Sequence, residues 1–112
     1  MSVESVMAAI ERKAAQRIAA IALDLHAEAR LNASGRNGGP EVRTGTGRNA
    51  IQAVQLGPLE WAVGVTGAAN PENGQKASVY MAVNEFGSRT RKAYPFMRPA
   101  ADAIRAKYRG NL

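Results

Sequence analysis

From Val3 to about Leu31 the chain places Val3, Met7, Ile10, Ala14, Ile18, Ile21 and Leu25 at spacings of three and four. That spacing follows the 3.6-residue turn of an α-helix and predicts one long amphipathic helix. Ser2 stands where an N-cap belongs, and Glu4 suits the positive end of the helix dipole. The stop signals lie in "NASGRNGGP", residues 32–40. At about 1.5 Å per residue such a helix spans roughly 43 Å. A compact domain of this size has a radius of gyration near about 13 Å and a diameter near about 34 Å. The helix is therefore expected to overhang its own domain. Alanines at 8, 9, 14, 15, 19, 20, 22, 27 and 29 allow close approach on more than one side, which favours packing against another subunit. A helix bent around its own core is the alternative.

A chain of 112 residues is one domain. Its apolar fraction is 46%, but much of that is alanine, with one tryptophan, three tyrosines and two phenylalanines, so the private core is expected to be modest. No cysteine is present, which excludes disulfides and thiolate metal sites. No apolar run resembles a signal peptide or approaches the roughly 18 residues of a membrane span. The expectation is a soluble chain made in the cytoplasm, with no membrane partner.

Residues 32–47 hold five glycines and a proline and predict a flexible loop, leaving 48–112 as the body of the domain. "RNAIQAVQL" fits a short helix or a strand. "EWAVGVTGA", with Trp61, Val63 and Val65 alternating with smaller residues, predicts a strand. "ANPENGQ" carries two strong turn formers and marks a hairpin or a strand-to-helix reversal. "ASVYMAVNEFG" fits strand or helix, with helix preferred, and Gly87 is placed to end either. Pro99 suits the first position of a final helix striped by Ala100, Ile104 and Tyr108, with Arg105, Lys107 and Arg109 at its negative end.

Catalytic and cofactor signatures are weak. His26 has Arg30 one turn on but no second ligand at metal-binding spacing. Asp24 and Glu28 share a helix face and read as solvated charges. "GTGRNA", residues 45–50, matches the dinucleotide fingerprint in letters, yet "GGPEVRT" precedes it instead of a hydrophobic strand and residues 66–71 contain no carboxylate. No enzyme, cofactor or metal site is expected.

The net charge of +6 is uneven. Residues 1–34 and 35–86 each balance four basic against four acidic side chains, whereas 87–112 hold seven basic and one acidic. The excess falls around "VNEFGSRTRKAYPFMRP", residues 83–99. Arg89, Arg91 and Lys92 interleaved with Tyr94 and Phe96 suit a nucleic-acid grip, which Arg36, Arg43 and Arg48 extend. The two prolines around Phe96 and Met97 instead stiffen a segment that plugs an apolar gap, and anchoring is the preferred reading of the rings.

Three segments together resemble a known family. "TGTGRNAI" (44–51) is similar to Thr-Gly-x-Leu-x-x-Ser-Ile, "YMAVNEFGS" (80–88) to Tyr-Ala-x-x-Val-Glu-Phe-Gly-Thr, and "PFMRPA" (95–100) to Pro-Phe-Leu-Arg-Pro-Ala. These mark the bacteriophage tail-completion and head-tail joining proteins of tailed phages, prophages and gene transfer agents. Order and spacing agree, as does the long helix before them. Gly47 stands where the family has leucine and Ala50 where it has serine, and Met81 with Ala82 shifts the Tyr-Ala pair.

The resemblance implies an α+β subunit with a long N-terminal helix, a small, mostly antiparallel β-sheet and a C-terminal helix, assembled as a ring, as a hexamer, at the neck or tail end. Its implied partners are copies of itself, neighbouring connector and tail-tube proteins, and genomic DNA touched without sequence reading. The matching residues are Thr44, Gly45, Asn49 and Ile51; Tyr80, Glu85, Phe86 and Gly87; and Pro95, Phe96, Arg98, Pro99 and Ala100. Phe86 and Phe96 are expected to anchor the fold, Gly87 to allow a sharp reversal, and Glu85 to accept hydrogen bonds from Arg48 or Arg98. Arg89, Arg91 and Lys92 remain as the candidates to face DNA or a partner ring. A small basic nucleic-acid-binding protein is the rival reading.

Overall fold

The computed structural model describes residues 2–36, 39, 45–67, 76–90 and 92–109. Its first element, α1, runs Val3–Asn32 as one helix, a residue beyond the expected end. Ser2 caps it as expected, with the Ser5 N–H donating to Ser2 Oγ at 3.0 Å. A four-residue helix, α2 (Thr46–Asn49), leads into β1 (Ile51–Gly57) and β2 (Glu60–Val65), and then come α3 (Ala77–Phe86) and α4 (Met97–Tyr108). This is the expected α+β class. The two readings left open for 48–56 both hold in part, since the segment ends a helical turn and then becomes a strand. Of the turn "ANPENGQ", residues 69–75 lie outside the described residues, and the elements flanking it are a strand and a helix.

The sheet is a single antiparallel pair in which Ile51 faces Val65, Ala53 faces Val63 and Gln55 faces Trp61. Period-two alternation turns Ile51, Ala53, Trp61, Val63 and Val65 inward and leaves Val54, Ala62 and Leu56 on the solvent face. Two strands alone are marginal in water. Here the inner face packs on α1, and the His26 Nε2–H donates to the Ile51 carbonyl at 2.8 Å to fix the hairpin on the helix.

The buried cluster joins Ala29 and Ala33 of the α1 end, Ala50 and Ile51, Ala77 and Met81 of α3, and Phe96 and Ala100. Alanine dominates it, so backbones approach closely and Phe96, 3% exposed, supplies much of the buried volume. The molecule measures 61 × 27 × 21 Å with a radius of gyration of 17.0 Å, because α1 projects beyond the body. Val3, Met7 and Ile10 are 71%, 55% and 62% exposed. The expected overhang is present.

Three sequence expectations are corrected, the third being that Asp24 and Glu28 are solvated charges. The loop set at 32–47 is not loose at its ends: Asn32, Ala33, Gly45 and Gly47 are buried, and a Cβ at Gly39 would collide with the Asn32 carbonyl. Pro99 is the third residue of α4 rather than the first. Its φ fits the first turn at either place, and its missing N–H has a consequence given below.

Asp24 and Glu28, read as solvated, are both paired. Glu28 binds Arg36, and half-buried Asp24 accepts hydrogen bonds from Lys107 Nζ at 2.8 Å and from the Tyr108 hydroxyl. Arg17 and Lys107 each lie 5.5 Å from the centre of the Tyr108 ring. This lock holds α4 antiparallel along α1. The Lys107 hydrogen bond, then that of Tyr108, holds the Asp24 pKa below the usual 3.8, while the Asp24 carboxylate raises Lys107 above 10.5 and Tyr108 above 10.0.

A lowered folded-state pKa at Asp24 stabilises the fold above the unfolded value and stops doing so as pH falls through the folded value. The raised Lys107 and Tyr108 values stabilise below their unfolded values and stop doing so as pH rises through the folded ones. The lock is thus whole at neutral pH. Urea midpoints should show Asp24→Asn less stable than wild type at about pH 7, with the two curves converging toward about pH 2. A gap that stays constant down to acid pH would rule the lock out.

Candidate functional site

The three motif segments meet at one end of the molecule, where α1 stops and α4 starts. Glu85, near the end of α3, turns its half-buried carboxylate toward the start of α4. Its Oε1 accepts the backbone N–H groups of Phe96 at 3.0 Å and Met97 at 2.8 Å, and its Oε2 accepts that of Arg98 at 3.1 Å. The expected partners, the guanidinium groups of Arg48 or Arg98, are not the ones used. Arg98 contributes its main chain and leaves its side chain exposed.

A helix start leaves four N–H groups without an internal partner. In α4 these belong to Phe96, Met97, Arg98 and Pro99. Glu85 takes the first three, and proline has none to offer. Phe96, the N-cap residue, makes no side-chain cap, and no acid lies in the first turn of α4 itself. Glu85 therefore supplies from α3 both the acceptors and the negative charge that the start of a helix favours.

Gly87 makes this approach feasible. It ends α3 with φ 75° and ψ −177°, a left-handed φ that side chains resist, and so turns the chain back toward α4. Tyr94 N–H then donates to the Asn84 carbonyl, which holds the returning segment against α3. Buried Asn32 fastens the same point to α1: its Nδ2 donates to the Phe96 carbonyl at 3.0 Å and its Oδ1 accepts from Arg36 Nε at 3.1 Å.

Phe96 is an anchor, as expected. Phe86 is not: it is 82% exposed. The helical period explains the correction, because Ala77, Tyr80, Met81, Asn84 and Glu85 occupy the inward arc of α3, and Phe86 falls with Val79 and Ala82 on the opposite one. The two rings of the motifs thus have opposite tasks.

The first motif packs beside the same centre. Gly45 is buried with φ 82°, and Arg30 Nη2 donates to Asn49 Oδ1 at 3.1 Å. Ile51 is fully buried. Thr44 lies outside the described residues. A Cβ on Gly47 would stand 2.6 Å from Met81 Sδ and 3.0 Å from the Tyr80 ring. The position without a side chain on α2 thus faces the long Met81 side chain on α3.

Arg89 and Lys92 are exposed on the segment between Gly87 and α4, and Arg91 lies outside the described residues. Pro95 is half-buried. Among the described residues no three histidines, cysteines or carboxylates stand where they would hold a metal. The named contacts within this centre serve docking and capping of the backbone.

Sequence reasoning missed Asn32, the true partners of Glu85, and the tasks of His26 and Arg30. Those last two had a signal in standing one turn apart on α1, but no spacing announces the Ile51 carbonyl or the Asn49 side chain as the partner.

Glu85→Gln removes the charge and one acceptor and should destabilise by about 1–3 kcal/mol in urea unfolding. A change below about 0.3 kcal/mol would remove Glu85 from this role. Gly47→Leu should cost about 1–3 kcal/mol alone through overpacking and less in a Met81→Ala background. Additive costs in that double-mutant cycle would contradict this contact.

Compared with family models, curated proteins and solved structures, the chain finds no match. The three motifs and their meeting point are the ground on which a function is proposed.

Proposed function

We propose that this protein is a structural virion subunit of a tailed phage or related particle. It assembles as a ring, as a hexamer, at the neck or tail end, where it completes or terminates the tail, joins head to tail and surrounds the DNA channel. It acts by protein contacts and not by catalysis, binds no cofactor, and is made in the host bacterial cytoplasm before entering the virion.

The observation that carries this reading is the amount of large apolar side chain left in water. Phe86, Val3 and Ile10 are each more than 60% exposed, and Val54, Leu56 and Leu59 add a further surface on the hairpin. Large apolar side chains left exposed on three elements favour contacts with other proteins. The shared cap joins Glu-Phe-Gly to Pro-Phe-Met-Arg-Pro in this chain: the Glu85 carboxylate of the first takes the Phe96, Met97 and Arg98 N–H groups of the second. Exposed Arg89 and Lys92, with Arg91, then supply charge to the channel or to a neighbouring ring, without sequence reading.

Negative-stain imaging and light scattering of the purified protein test the proposal. Discrete rings in the absence of DNA are expected. Phe86→Ser should lower ring yield while leaving the thermal midpoint within about 2 °C, since the ring gains nothing from its own fold. A persistent monomer that binds DNA with a steep salt dependence would instead establish the small nucleic-acid-binding protein.

A further inference from the structure

We infer that the projecting half of α1 is the surface on which the subunit meets its own copies, with the neighbour's α1 lying parallel to it. The inference rests on the ring proposed above and names the contact that builds it.

α4 covers the face of α1 that carries Asn32, Asp24 and Arg17, and its last turn stops beside Arg17. Turned at about 100° per residue, Val3, Met7, Ile10 and Ala14 continue that same face within an arc of about 60°. Beyond α4, Ile10 and Ala14 of this stripe border an open groove that Lys13, Arg17 and Ile18 also line. Among the described residues none of the body covers Val3, Met7 or Ile10, and the stripe is a docking face.

Charge selects the occupant and its direction. Glu4 and Glu11 lie along one flank of the stripe, and Lys13 and Arg17 along the other, all exposed. Two identical helices packed antiparallel about a two-fold axis would bring like flanks together, placing Glu4 and Glu11 against the acids of the copy. Packed parallel, the acidic flank of one faces the basic flank of the next. A parallel contact uses a different flank on each partner, so every subunit keeps one flank for a further neighbour, and rotation closes the series into a ring.

Sedimentation velocity of wild type and variants over a range of concentrations tests this, with circular dichroism confirming that each variant folds. Ile10→Asp should abolish assembly. Glu11→Lys and Lys13→Glu should each weaken it at least about tenfold. Mixed in equal amounts, the two should co-assemble, because a basic flank then meets an acidic one. Stronger association of Glu11→Lys alone would mean antiparallel packing and overturn the proposal. Intact assemblies of Ile10→Asp would overturn it while leaving the ring itself standing. A wild type that stays monomeric at every concentration would overturn both.

Discussion

The Glu85 carboxylate at the start of α4 is the interaction on which the described body depends. Three main-chain donors converge on one side chain, and the fourth donor of the helix start is absent because Pro99 occupies its place. The consequence is positional. α4 begins where α3 ends, and Asn32 pins that point to the last turn of α1 through the Phe96 carbonyl. Once its first turn is fixed there, α4 has one direction to run, back along α1, and Asp24 receives Lys107 and Tyr108 at the far end. Two polar clamps set the angle, and the apolar contacts of Phe96, Ala100 and Ile104 fill the space between.

Such clamps matter more in this chain than in one with a richer core. Alanine makes up most of the buried hydrophobic set, and a methyl group buries little area. Small side chains allow close packing but specify orientation poorly, since few shapes interlock. Directional hydrogen bonds supply the missing specificity, three of the four sets to main-chain atoms: His26 to the Ile51 carbonyl, Asn32 to the Phe96 carbonyl and Glu85 to three N–H groups, with Arg30 to the Asn49 side chain as the fourth.

This division explains which parts were legible in the sequence. The period of α1, its Ser2 cap and its overhang follow from spacing and length, and the strand from Trp61 to Val65 follows from alternation. The stripe of Ala100 and Ile104 was readable in the same way. The partners of Glu85 were not, because every residue but proline carries an N–H and nothing in the letters marks which will be left without an internal partner. Arg48 and Arg98 are conspicuous as letters, whereas the donors used are main-chain atoms. Phe86 was misassigned for a related reason: adjacent to Glu85 in sequence, it lies about 100° from it around the helix, so the inward turn of the carboxylate sends the ring outward.

Phe86 and the projecting half of α1 point to one physical problem. A subunit with a small core gains little by hiding large apolar side chains within itself, since its alanine-lined interior has no room for them. Exposed in water they favour association, and their arrangement decides its form. The α1 stripe and the α3 face of Val79, Ala82 and Phe86 belong to different helices, with the body of the subunit between Ile10 and Gly87 in the chain. In the proposed assembly α1 meets the neighbour's α1 through a different flank on each partner, and a contact of that kind propagates until the rotation per step closes it. In such a ring the rotation would follow from the angle between α1 and the body. That angle is held by His26, Asn32 and Asp24, so the internal clamps of one subunit fix the geometry with which it offers itself to the next.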